Sequence, residues 1–182
     1  MTINYYKLKS TDTYRLPQIV EELAQVKSLE SLYFNTCDLD NLPDEIVKLS
    51  QLNYISLNDN SFSEIPSVIM ELQGLKELHM SWNNLSCIPP AIVNLKNLTC
   101  LDLSGNKITK IPDKIGELNK LREFYLDANP IDSISFSIHK LVNLDLLSID
   151  NDIRIMPTIN LLPKTVEIRT SNCDFEKDTF LT

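Results

Sequence analysis

The side chains best suited to covalent chemistry are four cysteines, Cys37, Cys87, Cys100 and Cys173, and two histidines, His79 and His139. A thiol is a nucleophile only as the thiolate, and it needs a base within hydrogen-bond reach. Cys87 or Cys100 beside His79 or His139 would supply that pair. Glu77 and Glu123 lie 23 residues on either side of Cys100. If the three share a row, the carboxylates disfavour the thiolate and raise the thiol pKa. His79, Cys100 and a carboxylate are also a conceivable metal set. However, no two cysteines form a C-x-x-C pair, and their spacings of 50, 13 and 73 match no zinc pattern. The three glycines, Gly74, Gly105 and Gly116, are too scattered for a phosphate-cradling loop. No catalytic residue, metal or cofactor is expected, and all four cysteines are expected to be reduced thiols.

The elements that hold these residues follow from a rhythm in the chain. Steps of 23 link Leu32, Ile55, Leu78, Leu101, Phe124 and Leu147. Two positions later the same step links Phe34, Leu57, Met80, Leu103, Leu126 and Ile149, and a third column links Cys37, Asn60, Asn83, Asn106, Asn129 and Asp152. A period of this length means a stacked array of short coils. Each coil opens with a strand, for example 100–103. Alternation turns Leu101 and Leu103 inward and Cys100, Asp102 and Ser104 outward. An Asn side chain both donates and accepts, so a buried column of them is expected to satisfy turn backbone and to form a ladder along the array. Cys37 can fill that role only in part.

The returning half of each coil carries a second pattern: Leu42-Pro43…Ile46…Leu49, Ile65-Pro66…Ile69…Leu72, Ile88-Pro89…Ile92…Leu95 and Ile111-Pro112…Ile115…Leu118. A fifth copy, Ile134-Ser135…Ile138…Leu141, lacks the proline. Apolar residues three apart suit a single turn of α- or 3-10 helix, and the proline starts it. The whole chain, 1–182, reads as one domain. Residues 1–27 are an N-terminal cap offset by 26, with a short amphipathic helix over 17–27 that starts at Pro17. Residues 28–149 are regular. Residues 150–182 are an irregular last repeat and cap, in which Val166 and Ile168 are expected to form a final strand 19 residues after Leu147 and Ile149.

These columns, with the Leu-Pro-x-x-Ile-x-x-Leu half, resemble the leucine-rich repeat superfamily, and within it the Ras-group-like type. The resemblance covers nearly the whole chain. It implies a right-handed α/β solenoid with a curved parallel sheet on its concave face and short helical or 3-10 turns on its convex face. It also implies protein binding on the concave face and transfers no catalytic residue. Proteins of this type include intracellular scaffolds and bacterial effectors.

The net charge of −8 excludes a phosphate-neutralising face, so no nucleic-acid partner is expected, and no membrane partner either. The N-terminal stretch has no secretory apolar core, and no run is long enough to span a bilayer. A cytoplasmic monomer is expected. The alternative is a bacterial effector delivered into a host cell without a cleavable signal peptide, using the acidic tail 173–182; a structural fragment of a larger scaffold is a third reading. The expected partner is a protein, with a basic patch if it meets the outward carboxylates. Interfaces favour Trp and Tyr anchors. Candidate partner-binding residues on the outward rows are therefore Tyr33, Tyr54, His79, Trp82, Asp102, Tyr125 and Asp127. Trp82, the sole tryptophan, stands in a column of smaller residues. Its two readings are an interface anchor or a ring lying on the adjoining turn. Eight strands about 4.8 Å apart span roughly 34 Å, a small sheet beside the ~800 Å² each partner gives a standard interface, so a tight complex must recruit the turns.

Overall fold

The structure is a computed structural model, and it describes residues 5–149, 162 and 166–169. Three-residue strands repeat along the chain: β1 (Tyr5–Lys7), β2 (Ser31–Tyr33), β3 (Tyr54–Ser56), β4 (Glu77–His79), β5 (Cys100–Asp102), β7 (Glu123–Tyr125), β9 (Leu146–Ser148) and β10 (Glu167–Arg169). They pair in that order, all parallel, in one eight-stranded sheet. Two short strands absent from the sequence reading, β6 (Lys110–Ile111) and β8 (Ser133–Ile134), form a second parallel pair. The 26-residue offset of the cap holds, because Tyr6 pairs with Leu32. Leu78, Leu101 and Phe124 occupy neighbouring rungs and are fully buried.

At the last rung the register differs from expectation. Ile168 pairs with Leu147, a step of 21, and Arg169 rather than Glu167 sits beside Ser148. Two ladder bonds hold this register: Ile149 N–H donates to the Arg169 carbonyl at 2.9 Å, and Glu167 N–H donates to the Asp145 carbonyl at 2.7 Å. A slip of two keeps every side chain on its face, so hydrophobic pattern alone does not separate 19 from 21. The Asp152 position and the expected capping residues Phe175, Phe180 and Leu181 lie outside the described residues.

Each coil returns through a 3-10 turn: Asp44–Lys48, Ser67–Glu71, Pro90–Asn94, Asp113–Glu117 and Phe136–Lys140. The middle isoleucine of each turn is fully buried. In the first four copies proline is the residue preceding the turn, in extended or near-extended conformation. In the fifth copy Ser135 replaces that rigidity with bonds. Its Oγ accepts from Ser137 N–H at 3.1 Å and donates to Asp113 at 2.6 Å. Here the turns also approach closely, since a Cβ on Gly116 would lie 2.3 Å from the Ser137 carbonyl oxygen.

The N-terminal helix α1 (Leu16–Leu23) is shorter than the expected 17–27 and follows a 3-10 segment, Ser10–Arg15. It starts at Leu16-Pro17 and buries Leu16, Ile19, Val20 and Leu23. After Leu23 the backbone tightens, with Val26 N–H bonded to the Leu23 carbonyl, so that the chain can reach β2. Glu21 meets Lys48 across the first coil boundary. Among the described residues no helix is long and apolar enough to cross a membrane.

The asparagine column works through the backbone. Asn106 Nδ2 donates to the Leu103 carbonyl at 2.9 Å and the Ser104 carbonyl at 3.2 Å, both in its own coil. It also donates to the Met80 carbonyl, one coil back, at 2.9 Å, while Oδ1 accepts from Leu85 N–H at 2.9 Å. Asn83 and Asn129 repeat these offsets, so the column satisfies turn backbone and stitches coil to coil along the array, as expected, through amide-to-backbone bonds. Cys37 keeps the geometry with weaker chemistry. Its Sγ–H faces the Asn35 carbonyl at 3.2 Å and the Leu8 carbonyl at 3.8 Å, and its N–H donates to Asn60 Oδ1. The step back to Leu8 is 29 rather than 26 because the cap coil carries three extra residues.

Candidate interaction face

Outward side chains of the sheet stand in two main rows. One runs Tyr5, Ser31, Tyr54, Glu77, Cys100, Glu123 and Leu146; the other runs Lys7, Tyr33, Ser56, His79, Asp102, Tyr125 and Ser148. Small residues, Ser31, Ser56 and Cys100, stand between larger ones in these rows. Tyr33 and His79 flank Ser56, and Tyr54 leans diagonally across it. Ring centroids are 4.9 Å apart for Tyr33 and Tyr54 and 5.1 Å for Tyr54 and His79. Tyr5 meets Tyr33 edge-on at 6.4 Å. Offset and edge-on rings at these distances attract beyond simple burial. Beneath them Ser56 is only 1% exposed, and its hydroxyl donates to Asn35 Oδ1 at 2.7 Å.

His79 ends this ladder and begins an acidic stretch. Its Nε2 lies 3.5 Å from Glu77 Oε2 and its Nδ1 3.7 Å from Asp102 Oδ2. Burial opposes protonation of the ring, but Asp102 and Glu77 favour it and prevail, so the His79 pKa is raised. For Asp102 burial raises the pKa, and the hydrogen bonds from His79 and from Ser104 N–H outweigh it, giving a lowered value. Tyr125 stands beside Asp102 in the register but outside the ring ladder. Its hydroxyl donates to Glu123 Oε2 at 2.8 Å, and burial with that carboxylate pushes its pKa to about 12.

The candidate nucleophile is disarmed. In register Cys100 opposes Glu77 and Glu123, while His79 opposes Asp102. Burial first, then Glu123, Glu77 and Asp102, push the Cys100 thiol to about 12. Cys37, Cys87 and Cys100 are free thiols. Among the described residues no three His, Cys, Asp or Glu side chains group to hold a metal ion.

Trp82 belongs to a different part of the face. The residue before each member of the asparagine column, Cys37 included, adopts left-handed backbone: Thr36, Asp59, Trp82, Gly105 and Ala128 have φ from 53° to 66°. This conformation is uncommon for non-glycine residues and costs about 1 kcal/mol or more. The coil turns there so that the following asparagine can enter the core. Trp82 is thereby lifted out of the sheet, and its indole lies over Gly105 of the next coil, where an added Cβ would be 2.6 Å from Cδ2. The ring is nonetheless 61% exposed. Both readings of Trp82 thus describe one geometry: it covers the adjoining turn and presents a broad face to solvent. Asp127 lies on the next rung, where its carbonyl accepts from Gly105 N–H at 2.8 Å.

The structure therefore brings Tyr33, Tyr54, His79 and Asp102 into one contact chain and leaves Tyr125, Trp82 and Asp127 as separate neighbours. Sequence reasoning left Tyr5, Glu77 and Glu123 out of the candidate set. Their signal was their place, by the repeat steps, in the same outward row as Tyr54 and Cys100.

A stacked parallel sheet, an inward apolar face and an asparagine column closed at its first turn by Cys37 define a repeat solenoid. The family described as leucine-rich repeat region matches residues 44–123. A solved leucine-rich repeat protein of Leptospira interrogans shares 28% identity with a TM-score of 0.51, covering 81% of this chain and 50% of its own. The plant peptide hormone receptor RGFR1, solved in complex with RGF2, shares 23% identity and a TM-score of 0.58, covering 80% of this chain and 22% of its own. The chain thus has the fold of leucine-rich repeat proteins, an α/β solenoid, and it spans half or less of the length of these neighbours. No curated protein matches it by sequence.

Proposed function

We propose that the chain is a non-catalytic interaction module that receives a protein partner on the outer face of its sheet and the adjoining turns. The observation that carries this reading is Trp82. A large apolar ring is held in left-handed backbone, seated on Gly105 and 61% exposed, at the rim of a face already lined with tyrosines. Aromatic anchors of restricted freedom lose little entropy on binding and dominate interface energies. Leucine-rich repeat folds are typical of protein-interaction modules, which agrees. The thiol, pushed to about 12 by burial and the carboxylates around it, argues against acyl chemistry at the same place. The test is affinity capture from the native cell with mass spectrometry, using the wild-type chain and the double variant Trp82→Ala/Tyr125→Ala. Loss of the captured protein by the double variant, with its melting curve retained, is the expected result. Equal capture by both chains removes this face as the binding site.

A further inference from the structure

The outward row Glu77, Cys100, Glu123 contains a notch. A short side chain sits between two long acidic ones, on strands that are next neighbours but one. Two such strands are about 9.6 Å apart. The notch holds about 260 Å³ and is lined by Glu77, Thr99, Cys100, Arg122, Glu123 and Asp145. Its floor is Cys100, 7% exposed. The charges on the wall do not cancel. Arg122 Nε is bound to Asp145 Oδ2 at 2.7 Å, so that pair is internally neutral. Glu77 and Glu123 remain. Each uses one oxygen, toward His79 and toward the Tyr125 hydroxyl, and a carboxylate has about four acceptor positions. A cation complements these two carboxylates in charge and in hydrogen bonding, whereas a purely aliphatic plug would strip water from them without replacement.

We propose that this notch seats one Arg or Lys side chain of an extended basic segment in the protein partner. The guanidinium or ammonium bridges Glu77 and Glu123 above the Cys100 thiol, and the flanking backbone crosses the tyrosine ladder. This deepens the docking reading and rests on it: the face is the same, and the added content is the chemistry of the occupant.

The probe is a labelled nine-residue Gly/Ser peptide carrying a central arginine flanked by two lysines, with a twin in which glutamine replaces all three. Fluorescence anisotropy is read for the full chain and two double variants of equal charge change, Glu77→Gln/Glu123→Gln in the notch and Glu64→Gln/Glu71→Gln away from it. The expected result is tighter binding of the basic peptide than of its twin. Loss of the two notch carboxylates should weaken it about tenfold, since truncating one side of a desolvated charge pair costs at least that. The distant pair should change it less than twofold. Equal weakening by both double variants, or equal binding of the two peptides, overturns the proposal. Failure of the docking reading is distinguished by the native partner. If Trp82→Ala/Tyr125→Ala abolishes capture while Glu77→Gln/Glu123→Gln leaves it intact, the face stands and the basic occupant is wrong. If neither double variant affects capture, both are wrong.

Discussion

Strands β1–β4 and strands β5–β9 present different chemistry on one continuous sheet. The first half carries a ladder of rings, Tyr5, Tyr33, Tyr54 and His79, closed over a buried serine. The second carries Asp102, Glu123, Asp127 and Asp145, with Tyr125 drawn aside by its bond to Glu123. Beneath both halves the interior is the same, with apolar rungs in register and the asparagine column, begun by Cys37, stitching the turns. A repeat fold thus separates its tasks. The inward columns are fixed by stacking, whereas the outward rows vary without disturbing it. The seam is the His79–Asp102 pair, where ring and carboxylate meet.

The largest difference between the halves should appear when tyrosines are truncated. Tyr54→Ala removes two ring contacts and uncovers Ser56, with an expected loss of about 1–3 kcal/mol. Tyr125→Ala removes one exposed hydroxyl bond and should stay within about 0.5 kcal/mol. Denaturant melts of the two variants measure both, and equal losses would erase the distinction. Next comes Gly105→Ala, which places a methyl against the indole and a non-glycine residue in left-handed backbone. A cost of about 1 kcal/mol is expected, with a shifted Trp82 fluorescence maximum as the ring is displaced.

The seam itself should titrate. The His79 pKa is raised in the folded chain above its ordinary 6.5, so the folded state binds this proton more tightly than the unfolded state. The resulting stability is fully present below 6.5 and is lost as pH rises through the folded value. His79→Gln should flatten the pH dependence in that window, and melts across it would show an unchanged slope if the pair were idle. The smallest expected effect is kinetic. Cys87 is exposed, and Cys100 is buried with its thiol near 12, so iodoacetamide at neutral pH should label Cys87 well before Cys100 in the native chain. Mass spectrometry of the products decides the order.

The interior was fully legible from sequence. Leu32 through Leu147 announced the rungs, and the Pro-x-x-Ile spacing announced the 3-10 turns. The final register was not, because a slip of two leaves Ile168 on the same face. The ring ladder was half legible. Tyr33, Tyr54 and His79 were named, but their diagonal stacking depends on side-chain direction, which spacing does not encode. Left-handed backbone at Thr36 and Trp82 was hidden by residues that rarely adopt it. The acidic row around Cys100 was visible as composition, whereas the notch required coordinates.

The most direct measurement is amide and indole chemical-shift mapping of the full chain as its captured partner is added. Docking on the sheet predicts shifts concentrated at residues 77–82, 100–105 and 123–128, including the Trp82 indole N–H. Shifts confined to the opposite turns, 113–117 and 136–142, with the Trp82 signal unmoved, would contradict it.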